Sequence, residues 1–62
     1  MFINLKRAEQ VRVKRAKLSI SKTELSEILG VSARTLAKIE KGNYKAHKRI
    51  YQAVVDWLLE DL

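Results

Sequence analysis

The sequence predicts an all-α domain of four or five short helices, and three observations support this fold class. The 62 residues contain no proline and two glycines, Gly30 and Gly42, so few positions interrupt a helix. Apolar residues recur at helical spacing in four separate stretches. A serine or asparagine that can accept a backbone N–H precedes three of these stretches. We therefore expect one compact domain spanning residues 1–62.

The first helix is predicted to begin after Asn4, which caps it, and to run to about Lys17. Its apolar stripe consists of Leu5, Ala8, Val11 and Leu18. Phe2 or Ile3, which precede the cap, are expected to pack against Ala8 as a hydrophobic staple.

The second helix is predicted to begin at Lys22, because Ser21 and Glu24 have the spacing of a capping box. Its expected buried stripe consists of Leu25, Ile28 and Leu29. Gly30 follows at the position where a helix end needs a positive φ, which glycine adopts without steric cost.

A third helix is predicted over residues 33–41, with Ser32 as its N-cap and with Leu36 and Ile39 facing the core. Two capped helices joined by a tight glycine turn form a helix-turn-helix over residues 22–41. This motif places its second helix in the major groove of DNA.

After Gly42 the sequence is polar and basic, which predicts a loop leading into a last helix over residues 46–62. That helix carries apolar residues on more than one side. Its expected stripe at helical spacing consists of Ile50, Ala53, Val54, Trp57, Leu58 and either Asp61 or Leu62. The additional apolar residues exceed what so small a domain needs to bury, which suggests a subunit contact.

The charge is unevenly distributed along the chain. Residues 1–49 contain all 13 lysines and arginines and four acids, a net charge of +9, whereas residues 50–62 have a net charge of −3. A basic body with an acidic end is typical of a protein that binds a polyanion. Ordinary solubility charge is the alternative interpretation.

Several function classes find no support in the sequence. There is no cysteine, His47 is the single histidine, and no nucleophile–base pair or paired carboxylates are recognisable, so we expect neither an enzyme nor a metal or cofactor site. No apolar run is long enough to span a membrane, and no secretion signal is present. Met1 indicates a natural start, so we expect a complete small cytoplasmic protein.

Residues Val11 to Gly42 resemble the phage-repressor and Cro type of regulator, the lambda-repressor-like helix-turn-helix family. The resemblance depends on Arg15, the capped segment Ser21–Ser26, the segment Gly30–Ser32 and the ending Leu36–Gly42. It implies a sequence-specific double-stranded DNA-binding regulator. We expect a Cro-like repressor from a phage or mobile element in a bacterial or phage-infected cell.

The sequence departs from the family pattern at several positions. Ser26 replaces the usual alanine, Lys22 replaces a frequent glutamine, and the proline common after the ending is absent. The fifth helix of many members is also missing, so the family's usual dimer surface does not transfer. We instead expect a homodimer that uses the apolar residues of the last helix, namely Tyr51, Val55, Leu58, Leu59 and Leu62.

By resemblance, the third helix reads base edges. The candidate base-contacting residues are Ser32, Ala33, Arg34 and Lys38. Arg34 suits a bidentate contact to guanine, and Ala33 suits a methyl contact to thymine. For Arg34, a phosphate contact or a solvated side chain remains an equal alternative. Lys38 suits either guanine or a phosphate.

Basic and hydroxyl residues around this helix are expected to contact phosphates. The candidates are Lys22, Thr23, Thr35, Asn43, Tyr44, Lys45 and Lys48. Lys22 lies at a helix N-terminus, which already favours an anion. The resemblance also implies a structural ion pair between Arg15 and Glu40.

The sequence is also compatible with two other function classes. An antitoxin or co-regulator would use the same fold to bind a protein, and the apolar last helix motivates this alternative. Single-stranded DNA or RNA binding has less support, because Tyr44 is the one aromatic residue among the basic cluster.

Overall fold

The computed structural model describes residues 1–60, and the predicted residues Asp61 and Leu62 lie outside this range. The elements, in chain order, are β1 (Phe2–Ile3), α1 (Leu5–Leu18), α2 (Lys22–Leu29), α3 (Ala33–Lys41), β2 (Tyr44–Lys45) and α4 (Lys48–Leu59). The predicted all-α helix-turn-helix architecture is confirmed, with four helices within residues 1–60. A short strand pair, which the sequence did not predict, is a minor addition.

Side-chain caps determine where the first three helices begin. Asn4 Oδ1 accepts a hydrogen bond from the Arg7 backbone N–H at 2.8 Å. The Ser21 hydroxyl accepts from the Glu24 backbone N–H at 3.0 Å, and the Glu24 carboxylate accepts from the Ser21 N–H at 3.2 Å. These bonds satisfy backbone donors that a helix end leaves free. The predicted cap at Asn4 and the capping box are therefore confirmed.

The two glycines end helices for different reasons. Gly30 has φ 70°, as predicted, and a Cβ added there would meet nothing within 4 Å. Gly42 has φ 90°, and its Cβ would lie 2.9 Å from Leu5 Cδ2, 3.2 Å from Leu5 Cα and 3.3 Å from Ala8 Cβ. Gly30 is thus required for its backbone angle, whereas Gly42 also allows the start of α1 to approach the end of α3.

All four helices contribute to one hydrophobic core. Its fully buried centre consists of Ile3, Val11, Leu25, Leu36, Ile39 and Val54. Trp57 is also buried, so its predicted place in the core is confirmed. The α3 helix packs against α1 and α2 with Leu36, Ile39 and Glu40 buried, and most of its other residues are exposed.

Two residues of the predicted buried stripes are exposed. Ile28 is 56% exposed, because the face of α2 that turns inward contains Leu25, Ser26 and Leu29. The prediction for Ile28 was therefore wrong. Leu5 is also exposed, since it is the first residue of α1 and lies over Gly42 at the surface.

The predicted loop after Gly42 is instead a strand that pairs with the N-terminus. Strands β1 and β2 run antiparallel, with Phe2 opposite Lys45 and Ile3 opposite Tyr44. Ile3 is completely buried while Phe2 is exposed, so Ile3 anchors this pairing in the core. The last helix consequently begins at Lys48, two residues later than predicted.

Lys14, a residue of α1, caps the C-terminal end of the neighbouring helix α4. The last turn of α4 contains no basic residue of its own. The Lys14 ammonium donates to the Trp57 carbonyl and, at 3.1 Å, to the Glu60 carbonyl. It also lies 4.9 Å from the centre of the Trp57 ring. These contacts satisfy carbonyls that the helix end leaves free and join α1 to α4.

Candidate nucleic-acid interface

The α3 helix divides into a buried side and an outward side. Leu36 and Ile39 are buried against the core, as predicted. Ser32 caps the helix, since its hydroxyl accepts from the Thr35 backbone N–H at 3.1 Å. The exposed residues of the helix are Ala33, Arg34, Ala37, Lys38 and Lys41. A rigid, capped helix thus presents two methyl groups and three cations to solvent.

All four candidate base-contacting residues are exposed, three of them on the outward side of α3 and Ser32 at its N-cap, and they differ in the hydrogen-bond donors that they have available. Ala33 and Arg34 are exposed in the first turn, and Arg34 forms no ion pair within residues 1–60. Lys38 is exposed, with its ammonium 5.9 Å from the centre of the Tyr44 ring. The Ser32 hydroxyl already donates to Thr35 Oγ1 at 3.0 Å. Arg34 therefore has the most donors available for a ligand.

The candidate phosphate-contacting residues lie on α2, α3, β2 and α4, and one of them, Asn43, lies between α3 and β2. Lys22 and Thr23 are exposed at the start of α2, and Lys48 is exposed at the start of α4. Thr35 is half-buried in α3 and belongs to the cap. The grouping of Lys22, Thr23 and Lys48 with the outward side of α3 stays a prediction, which rests on their exposure and chemistry.

A cleft lies at the C-terminal end of α3 and extends the outward surface. It has a volume of about 510 Å³, and its lining residues are Leu5, Lys38, Lys41, Gly42, Asn43 and Tyr44. Lys45, the next residue of β2, is exposed. The structure thus brings together Lys38, Asn43 and Tyr44, three of the predicted residues. It adds Lys41, which the sequence did not single out although it is basic and one turn from Lys38.

An ion pair between α1 and α3 fixes the end of the outward helix. Arg15 Nε donates to Glu40 Oε2 at 2.7 Å, and Arg15 Nη2 lies 3.4 Å from Glu40 Oε1. The Glu40 side chain is 8% exposed and that of Arg15 is 22% exposed. Arg15 Nη1 also donates to the Ile20 carbonyl oxygen at 3.4 Å. The pair is partly buried and joins elements far apart in the chain, so its role is structural.

Arg12 supplies a second contact from α1 to the same end of α3. Its guanidinium donates to the Glu40 backbone carbonyl, one of the acceptors that a helix end leaves free. The sequence patterns did not indicate a role for Arg12. Arg12 lies three residues before Arg15, so both arginines share one face of α1. This spacing could have indicated that Arg12 also contacts α3.

A family model described as Helix-turn-helix matches residues 11–53, which is more than two thirds of the chain. The chain belongs to the Cro/C1-type helix-turn-helix family. The matched range includes α2, the Gly30 turn and α3 in full. Comparisons with curated proteins and with solved structures found no significant match.

Membership of the helix-turn-helix family makes the chain a DNA-binding transcription regulator. This assignment agrees with the basic, exposed side of α3. Within residues 1–60, no group of three or more histidine, cysteine or carboxylate side chains could hold a metal ion. None of the helices in that range is long and apolar enough to cross a membrane.

The predicted dimer residues of this helix-turn-helix protein differ in exposure. Tyr51, Val55 and Leu58 are half-buried on α4, whereas Leu59 is 77% exposed. Tyr51 and Leu58 also pack partly against the core. The dimer surface therefore remains a prediction, supported most clearly by Leu59.

Proposed function

We propose that the chain is a sequence-specific double-stranded DNA-binding regulator that inserts α3 into the major groove. The observation that carries this proposal is the division of α3, whose Leu36 and Ile39 face is buried while Ala33, Arg34 and Lys38 are exposed. A helix of this kind fits a major groove about 12 Å wide. We further propose that it is a Cro-like repressor from a phage or mobile element, acting in the cytoplasm of a bacterial or phage-infected cell.

Arg34 is the proposed source of most of the base discrimination. Its guanidinium has donors in a planar fork that match O6 and N7 of guanine, a contact worth about 1–3 kcal/mol of discrimination. Ala33 offers a methyl group to thymine, and Lys38 reaches guanine or a phosphate. Ser32 is the fourth proposed base contact. Its hydroxyl also caps α3, so it holds the first turn of the helix, which carries Ala33 and Arg34, in place.

The surrounding residues position the helix on the DNA backbone. Lys22 lies at the N-terminus of α2, where free N–H groups and the helix dipole favour a phosphate. The other proposed phosphate contacts are Thr23, Thr35, Asn43, Tyr44, Lys45 and Lys48. Each phosphate neutralised by a cation should add about −0.9 to the slope of log affinity against log salt.

A selection of bound duplexes from a random pool tests this function. We also propose that the chain is a homodimer. We therefore expect enrichment of a two-fold symmetric site with half-sites separated by about one DNA turn, because a homodimer presents two α3 helices. The enriched duplex should bind at least a thousandfold more tightly than random duplex at moderate salt. No enrichment, with equal affinity for both duplexes, would contradict the proposal.

A protein-binding role is the second candidate, favoured by the exposed Leu59 and the adjoining stripe of α4. An antitoxin or co-regulator would bury this stripe against another protein. Co-purification with one tight protein partner, together with uniform affinity for all duplexes, would favour this role over specific DNA binding.

A further inference from the structure

We propose that two copies of this chain associate through the outward face of α1, packed antiparallel about Val13. The inference rests on the proposed homodimer, but it places the centre of the dimer interface on α1 and not on α4 alone. It starts from a groove of about 770 Å³ between α1 and the end of α4, called here the α1–α4 groove. Its lining includes Glu9, Val13, Lys17, Leu58, Leu59 and Glu60.

Two apolar residues of the α1–α4 groove are largely exposed to solvent. Val13 is 46% exposed and Leu59 is 77% exposed, and Leu58 is half-buried between them and the core. The floor of the groove is held in place by Lys14, whose ammonium bonds carbonyls of Trp57 and Glu60. The groove is therefore an apolar surface on two joined helices, suited to a protein partner.

The charges beside Val13 have a pattern that complements itself. Glu9, Val13 and Lys17 are spaced by four residues and share one face of α1. Glu9 and Lys17 lie about 12 Å apart along the helix, too far to pair with each other. Lys17 has no acid within four positions in the sequence. Within residues 1–60, the single ion pair joins Arg15 and Glu40, so neither Glu9 nor Lys17 is in an ion pair there.

A two-fold axis at Val13 satisfies both charges at once. Antiparallel packing of two α1 helices places Val13 against its own copy, and residues four positions before and after it face each other. Glu9 of each copy then meets Lys17 of the other, twice per dimer, beside the leucines of both α4 ends. Because an isologous interface uses one patch twice, a patch with an acid, an apolar centre and a base fits a second copy of itself.

Charge reversal tests this arrangement in the absence of DNA, by sedimentation equilibrium of the full chain. Lys17→Glu and Glu9→Lys should each raise the dimer dissociation constant about tenfold, since each places two like-charged pairs in the interface. The double variant restores opposite pairs and should return to within about threefold of the original value. Val13→Asp, at a side chain already half exposed, should leave the chain folded and monomeric.

Matched controls separate these effects from net charge and from general hydrophobicity. Arg49→Glu and Glu27→Lys make the same charge changes at exposed residues outside the groove. Ile28→Asp is the control for Val13→Asp, because Ile28 is also exposed and lies on α2. All three controls should retain the original dimer affinity.

Three results would overturn the inference: a monomeric protein, groove variants indistinguishable from their controls, or a double variant that does not recover. A dimer that is lost on Val55→Asp but unaffected by the α1 charge reversals would assign the interface to α4 instead. None of the α1 variants replaces a proposed DNA contact. The two proposals can therefore fail separately. If the duplex selection finds no specific site but dimerisation still depends on these charges, only the DNA proposal is refuted.

Discussion

Substituting each glycine by alanine tests how closely α1 approaches α3. Both glycines have a positive φ, but the added Cβ has open space at Gly30 and meets the Leu5 backbone and Ala8 at Gly42. Gly30→Ala therefore isolates the backbone strain, whereas Gly42→Ala adds a steric clash. The difference between the two variants measures the close packing at Gly42.

The magnitudes follow from the geometry at each site. At Gly30 (φ 70°, ψ 36°) a left-handed alanine costs about 1–2 kcal/mol, partly offset by about 0.4–1 kcal/mol of lost unfolded-state entropy. At Gly42 (φ 90°, ψ 179°) the backbone region is almost exclusive to glycine and costs about 1–3 kcal/mol. Overpacking against Leu5 adds about 1–3 kcal/mol. With the same entropy offset at both sites, we expect net losses of about 1 kcal/mol at Gly30 and about 2–5 kcal/mol at Gly42.

Urea unfolding followed by helical circular dichroism measures both losses. A 62-residue domain has about 3–9 kcal/mol of stability, so Gly42→Ala should lose a large share of it and unfold at a much lower urea concentration. Gly30→Ala should remain folded with a Tm lower by about 4–8 °C. Equal destabilisation of the two variants would refute the close approach of α1 to the end of α3.

Three further substitutions test individual contacts. Glu40→Gln should destabilise the fold by about 1–3 kcal/mol in urea unfolding, because it leaves the partly buried Arg15 without its counter-ion; an unchanged midpoint would show that the pair contributes nothing. Ser19→Gly should stabilise the protein by about 0.5–1 kcal/mol, since Ser19 ends α1 with φ 55°; a loss of thermal stability would count against this reading. Lys14→Met should lower the free energy of unfolding, followed by Trp57 fluorescence, by about 1–2 kcal/mol. The control Lys6→Met, at an exposed side chain, should change it by less than about 0.5 kcal/mol. Equal effects of the two variants would exclude a capping role for Lys14.

The features that could be predicted from sequence are those encoded by neighbouring residues. The capping box at Ser21 and the turn at Gly30 each depend on a few adjacent positions, so spacing alone identified them. The buried side of α3 followed from the positions of Leu36 and Ile39. The outward residues of α3 then followed by exclusion, which is why the candidate site is largely recoverable from the sequence.

The features that were missed depend on partners distant in the chain. The pairing of β1 with β2 joins segments about 40 residues apart, and two-residue strands leave no periodic signal. Arg12 and Lys14 bond backbone carbonyls, which every residue possesses, so no residue type marks the acceptor. Ile28 has the right spacing for burial, but the direction from which α3 and α4 pack on α2 decides its exposure.

The most direct test of base reading by α3 compares two variants on the selected duplex and on random duplex. We predict that Arg34→Ala lowers the ratio of specific to random affinity about 10- to 100-fold, because the guanidinium contacts a base. Lys45→Ala, the phosphate control, should weaken both affinities equally and reduce the salt slope by about 1. An Arg34→Ala variant that keeps the full specificity ratio would contradict major-groove reading by Arg34 on the exposed side of α3.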